Sequence, residues 1–226
     1  MQKIKTILKS QNEYIREKNI ENGILRLRKN QIVTFEKCKI NDLTIKKSDN
    51  STVIFKNCTI RQLYINDYLA LIEVDNCTIS SFNVDAKINN INLKNNSEIH
   101  RLKKFSSTYL HLNIQDSCID YLLWIHNVIN IKSLNSKINT AEFRYATFDI
   151  DTCKANFKST HLYNCFIPNV ENFNFGYLYI KPISSILQAE WGKLSPKLTA
   201  LCMAYDAQNH PDSKKFIAWA KGGPCP

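Results

Sequence analysis

Through the middle of the chain, apolar residues recur two apart, then three apart, and the pattern keeps repeating. "VTFEK CKIND LTIKK", "VIFKN CTIRQ LYIND" and "IEVDN CTISS FNVDA" show it most plainly. In each five the third residue is large and apolar: Phe35, Ile40, Ile45; Phe55, Ile60, Ile65; Val74, Ile79, Val84; Ile114, Ile119, Trp124; Phe143, Phe148. The first is small or apolar, as in Cys38, Leu43, Cys58, Leu63, Cys77, Phe82, Ser117, Leu122, Ala141 and Ala146. The other positions are mostly polar. A helix would settle to a period of about 3.6, and this pattern never does. A flat antiparallel sheet would carry Gly and Pro turn signals every 8–12 residues or so. Between residues 24 and 167 there is neither.

Four fives make a repeat of about twenty residues. The equivalent small positions are Cys38, Cys58, Cys77, Ser97, Ser117, Ser136 and Cys153, with gaps of 20, 19, 20, 20, 19 and 17. The geometry that fits is a coil of four short sides, each turning two residues inward. Successive coils stack by parallel pairing at about 4.8 Å. The small residue then packs at a crowded corner, where a free Cys behaves as a small buried hydrophobe. The Asn or Asp before it (Asn57, Asn76, Asn96, Asp116, Asn135) is expected to stack from coil to coil and to cap corner backbone groups. The expected fold class is all-β, a parallel β-helix of about seven coils over residues 32–181.

"AEFRY ATFDI" and "CTIRQ LYIND" resemble the pentapeptide-repeat family over about residues 32–175. That family has tandem fives with a small residue, then Asp or Asn, then Leu or Phe. The resemblance implies a right-handed quadrilateral β-helix. Here Thr, Lys, Tyr or Glu precedes the central residue, the centre is often Ile, and residues 94–113 and 126–140 break register.

Both ends of such a stack need covering. In residues 1–31, Ile4, Ile7, Leu8, Tyr14 and Ile15 sit at helix-like spacing before Gly23, which predicts an N-terminal capping helix. In residues 182–226 the fives stop. Ser195 and Pro196 open one predicted helix, with an apolar face of Leu198, Leu201, Cys202 and Tyr205. Asp212 opens a second, carrying Phe216 and Trp219, and Gly222 stops it. The expectation is a C-terminal helical hairpin. Its "WGxL…YDAxNHPD…FxxWAxGGPCP" pattern resembles the tails of uncharacterised phage or prophage proteins.

Charge narrows the partners. Net charge is +10, and residues 1–31 hold eight Lys and Arg against three Glu. Lys3, Lys5, Lys9, Arg16, Lys18, Arg26, Arg28 and Lys29 are therefore candidate contacts for an anion or nucleic acid. The eight cysteines are spread through a chain that opens on a charged segment instead of an export signal, and no run of about 18 apolar residues occurs. A reduced, cytoplasmic protein is expected, with the sequons at Asn50, Asn57, Asn76 and Asn95 accidental.

Candidate chemistry is sparse. Cys202, Asp206, His210 and Cys225 form one polar cluster in the tail, without the paired spacing of a zinc site. Asp75, Asp116, Asp149 and Asp151, with Tyr64, Tyr121 and Tyr145, are what a polysaccharide-active β-helix would draw on. No phosphate-binding glycine loop or serine elbow is present. No catalytic residue, metal or cofactor is expected. The leading expectation is a non-catalytic binding module that docks a protein partner, as a phage-encoded accessory or inhibitor of a host complex. Some pentapeptide-repeat proteins block topoisomerases by mimicking DNA, but that needs an acidic face and this chain is basic. The alternatives are nucleic-acid binding through the basic N-terminus, a polysaccharide enzyme, and an end-to-end scaffold like the bactofilin β-helices.

Overall fold

The computed structural model describes residues 2–7, 11–46, 50–105, 110–125, 128–144, 147–148, 155–163, 173–174 and 177–181. All of its regular structure is β, and every strand pairing is parallel. One sheet has eight strands: β2 (Asn12–Arg16), β4 (Ile32–Glu36), β6 (Ser51–Lys56), β8 (Leu69–Asp75), β10 (Ile88–Lys94), β12 (Leu110–Gln115), β14 (Val128–Leu134) and β16 (Thr147–Phe148). The other has eleven: β1 (Gln2–Ile7), β3 (Asn19–Arg26), β5 (Lys39–Lys46), β7 (Thr59–Ile65), β9 (Thr78–Val84), β11 (Glu98–Lys104), β13 (Cys118–Ile125), β15 (Lys137–Arg144), β17 (Ala155–Tyr163), β18 (Phe173–Asn174) and β19 (Tyr177–Lys181). From β1 to β17 the chain alternates between the two sheets, and each coil stacks on the last with register shifts only between β1 and β3 and between β6 and β8 among the described residues. The molecule is thus a parallel β-solenoid.

The two-then-three spacing is explained by how each coil turns. In β5, Ile40, Leu43 and Ile45 are buried while Asn41 and Asp42 both face outward. That adjoining outward pair bends the strand. The inward residues line up in columns. Val33, Val53 and Ile72 form one, and Phe35, Phe55 and Val74 another, with the two Phe rings stacked at 5.2 Å.

Each coil turns from one sheet to the other through a left-handed residue. Glu17, Lys37, Asn57, Asn76, Asn96, Asp116 and Asn135 all have φ between 48° and 62°. Asn and Asp tolerate that conformation best, because a short polar side chain can bond locally. Neighbouring amides also bond along the axis, Asn76 Nδ2 to Asn57 Oδ1 at 2.6 Å and Asn135 Nδ2 to Asp116 Oδ1 at 3.1 Å. The expected axial stacking is seen in these two pairs, where an amide donates to the amide or carboxylate of the coil before it.

The small residue that follows does more than fill space. Cys58 Sγ accepts from the Cys38 N–H at 3.4 Å and donates to the Lys56 carbonyl at 3.2 Å. Cys77 accepts from the Cys58 N–H, Ser97 from Cys77, Ser117 from Ser97 and Ser136 from Ser117, at 3.1–3.3 Å. Ser117 and Ser136 each donate to the carbonyl two residues back at 2.7 Å. The hydrogen bond with Cys77 and burial both push the Cys58 thiol up, so it stays neutral and keeps its donor.

One inward column holds an unexpected residue. Ile45, Ile65, Val84, Lys104 and Trp124 lie in register, and Lys104 is fully buried. Its Nζ donates to the Ala86 carbonyl at 2.6 Å. Burial pulls its pKa down to about 8, against a smaller opposing pull from Asp85.

The N-terminal end departs from expectation. Residues 2–26 hold strands β1, β2 and β3 in place of a capping helix, and the solenoid starts there instead of at residue 32. Five- and six-residue strands broken by turns space their aliphatic residues much as a helix does. Tyr14 and Ile15 sit on opposite faces, one 60% exposed and the other packed on the core. Gly23 is an inward residue of β3 and stops no helix. A Cβ there would come within 2.9 Å of Leu43 Cδ1. The expected C-terminal hairpin lies outside the described residues.

Two outcomes test this packing. Cys58→Ala leaves the Cys38 N–H buried without an acceptor, and it should cost about 1–3 kcal/mol in urea unfolding. Cys58→Ser keeps donor and acceptor and should cost less; equal losses would show that volume alone matters. For Lys104 the lowered pKa means the unfolded chain binds a proton the folded chain lacks between about pH 8 and 10.5. The stability of wild type minus that of Lys104→Met should therefore rise with pH across that window and be flat below it. A flat difference throughout would put Lys104 in water.

Candidate docking face

The outward columns show which surfaces the solenoid presents. On the eight-stranded sheet, Ile32, Thr52 and Leu71 form one column, and Tyr14, Thr34, Ile54 and Glu73 the next. Tyr14 and Ile32 are 60% and 41% exposed, and Ile54 and Leu71 are half-buried. β2, β4 and β6 alternate inward and outward, β8 does so from Leu71 onward after an adjoining Ala70–Leu71 pair, and the apolar outward residues gather on these four strands. Farther along, the same columns carry Asn90, Asn92, His111, Asn113 and Lys132, with Asn130 buried in register with His111. Asn113 Nδ2 donates to Asn92 Oδ1 at 2.8 Å.

Charges border the apolar patch and are mostly paired. Arg16 reaches Glu36 at 3.2 Å and Glu17 at 3.4 Å. The Tyr14 hydroxyl also donates to Glu36, which raises the tyrosine pKa and lowers that of the carboxyl. Lys94 bridges Glu73 at 2.9 Å and Asp75 at 3.8 Å. The other exposed large apolar residues, Ile24, Phe105 and Leu134, lie apart from one another in separate columns.

The eleven-stranded sheet is polar. A shallow groove of ≈ 630 Å³ runs along it, lined by Asn19, Glu21, Lys39, Asn41, Thr59 and Arg61 among others. Arg61 is held by Asp42 at 2.7 Å. Farther along the stack His100 Nδ1 lies 2.8 Å from Asp120 Oδ2, and Asn139 Nδ2 donates to the other Asp120 oxygen at 2.8 Å. The His100 contact holds the Asp120 carboxyl below its usual range. Cys118 Sγ is 3.9 Å from Asp120, and burial and that carboxylate raise its pKa, the opposite of what a thiolate nucleophile needs. Tyr121 donates to Glu142 at 2.6 Å, and its pKa is pushed up to about 12 by burial and by that carboxylate.

The basic residues picked from the sequence are divided among separate places. Arg26 registers with Lys46 at the end of β3, and Arg28 and Lys29 follow at the same corner. Arg16 and Lys18 lie at another corner, where Arg16 is already paired. Lys3 and Lys5 are in β1, in register with Asn22 and Ile24, and Lys9 lies outside the described residues. Of the acidic candidates, Asp75 ends β8 and accepts from Asn95 at 2.7 Å, while Asp116 is a corner residue. Tyr64 donates to Gln62 on its own strand. Asp149, Asp151, Tyr145, Cys202, Asp206, His210 and Cys225 lie outside the described residues.

Sequence reasoning missed the apolar patch and the His100–Asp120–Asn139 ladder. Both were visible only by reading every twentieth residue for the outward positions as well as the inward ones. No protein-family model, curated protein or solved structure matches the chain. Among the described residues no helix is long and apolar enough to cross a membrane.

The split of the basic residues makes a prediction. Arg26→Gln with Lys46→Gln should lower the salt needed for elution from heparin more than Arg16→Gln with Lys18→Gln does, at equal loss of charge. Equal shifts would make the attraction a property of net charge alone.

Proposed function

We propose that the protein is a non-catalytic β-solenoid binding module that docks a protein partner on the outward face of its eight-stranded sheet. The observation that carries this reading is the patch of Tyr14, Ile32, Ile54 and Leu71 on adjacent strands, bordered by paired charges. A grouped apolar patch rimmed by polar residues is the usual mark of a protein interface, whereas single exposed apolar residues are not. The parallel stack supports the role because its side chains are fixed at regular spacing and lose little freedom on binding.

The likeness of the fives to pentapeptide repeats and of the tail to phage proteins favours an accessory that acts on a host complex. The right-handed coil belongs to the same reading, since parallel crossovers are right-handed in nearly all sheets. The second reading is nucleic-acid binding through the Arg26, Arg28, Lys29 and Lys46 corner, favoured by the register of Arg26 with Lys46. A reduced, cytoplasmic setting suits the free thiols of Cys38, Cys58, Cys77 and Cys118.

The test is capture from an extract of the source cells, with nuclease and at about 0.3 M salt, where phosphate contacts weaken steeply. The wild type should retain one protein that Ile32→Asp with Ile54→Asp loses, while both forms keep the same thermal midpoint. Retention of that protein by the double variant, or recovery of nucleic acid alone at low salt, would reject the face.

A further inference from the structure

One inward corner row changes its chemistry half-way along the stack. Cys38, Cys58 and Cys77 fill it in three successive coils, and Ser97, Ser117 and Ser136 fill it in the next three. All six are buried. Both residue types do the same bonding. From Cys58 to Ser136 each side chain accepts the N–H of the coil before it, and all six donate to a carbonyl two or three residues back. A hydroxyl therefore meets the hydrogen-bonding needs of this corner, and those needs do not call for sulfur three times in a row. What the sulfurs add is a soft ligand atom. They also meet each other. The Cys58 and Cys77 thiols hydrogen-bond, and both are free. The row is tightest at that step, where the Cys58 N–H donates to Cys77 Sγ at 3.1 Å, against 3.4 Å from the Cys38 N–H to Cys58 Sγ.

We propose that Cys58 and Cys77 form a two-sulfur site for a soft monovalent metal ion, Cu(I), held between adjacent coils. Soft thiolates select Cu(I), which accepts two such ligands in line. Zn(II) would want four ligands. Among the described residues no group of three or more His, Cys, Asp or Glu could hold a metal, so a two-ligand ion is the kind this row can serve. The stack sets the two sulfurs along one axis. Each also receives a backbone N–H, a hydrogen bond that favours the thiolate form. Without metal Cys58 keeps its proton. On binding, both S–H bonds break, two Cu–S bonds form, both protons leave to solvent, and copper stays Cu(I) throughout. The N–H bonds to sulfur survive this exchange, and the thiol bonds to the Lys56 and Asp75 carbonyls are given up. The reduced setting proposed above keeps both the thiols and Cu(I) in the state the site needs.

The experiment titrates the reduced full chain with Cu(I) held by a coloured chelator, bathocuproine disulfonate, whose loss of colour reports capture. Cys118→Ser, Cys153→Ser, Cys165→Ser, Cys202→Ser and Cys225→Ser are combined so that only the row can answer. This form should take Cu(I) from the chelator. Losing a partner outside the ligand set already costs about 10–100-fold in metal affinity, so adding Cys77→Ser should weaken capture about a hundredfold or more. Its hydroxyl keeps the corner bonded as Ser97 does, so its metal-free urea midpoint should hold. Adding Cys38→Ser instead should weaken capture far less. If the combined form does not fold, the wild type decides, because an ion bound only by the folded chain stabilises it. Cu(I) should then raise the thermal midpoint of wild type and leave that of Cys77→Ser unmoved. No capture by the combined form, capture that Cys77→Ser retains, equal losses from Cys38→Ser and Cys77→Ser, or equal rises in thermal midpoint would each overturn the proposal.

Discussion

Six successive coils depend on one small side chain at one corner. The backbone there leaves a strand of one sheet and enters the other through a left-handed residue, which turns an N–H and a carbonyl toward the interior. A buried polar group without a partner is costly. The thiol or hydroxyl of Cys38, Cys58, Cys77, Ser97, Ser117 and Ser136 meets that need. It takes the N–H of the coil before it and gives its own hydrogen to a carbonyl. Alanine would fit the space and fail the bonding. A larger residue would hold the coils apart. Cys and Ser are the small side chains that do both without a branched carbon. The same solution recurs at another corner, where Ser51 accepts from the Gln31 N–H and donates to the Arg28 carbonyl, beside a bonded Asn30–Asn50 pair.

The sequence predicted the stack well because its inward columns are set by volume and repeat at a fixed interval. Phe35 over Phe55 and Ile40 over Ile60 can be read without coordinates. The N-terminal strands were misread because short strands cut by turns can imitate helical spacing when only the apolar residues are counted. The surer sign lay in Ile20 and Leu25, which stand twenty residues before Ile40 and Ile45 and extend the repeat to the first coil. Lys104 was invisible for a different reason. A lysine in a chain of thirty cations reads as surface, and only its place in the column of Ile65, Val84 and Trp124 puts it inside.

The outward surface was much less legible. Linear order groups Lys3 through Lys29 into one basic segment, but a solenoid separates residues a few apart and unites those twenty apart. Arg16 and Arg26 thus part company, Arg26 joins Lys46, and Tyr14 joins Thr34 and Ile54. Charge counted along the chain measures the wrong neighbourhood in this architecture. Charge counted down a column measures the right one.

The axial direction of the hydrogen bonds has a mechanical consequence. Ladder bonds, corner bonds and amide bonds all point along the stack, while the covalent chain runs around it. A sideways load is borne by whole turns of peptide bonds. A pull on the two ends loads the hydrogen bonds themselves, and because each coil touches only its neighbours, they give way one coil at a time. The molecule is stiff across its width and unravels along its length, like a wound thread drawn from the end of its spool.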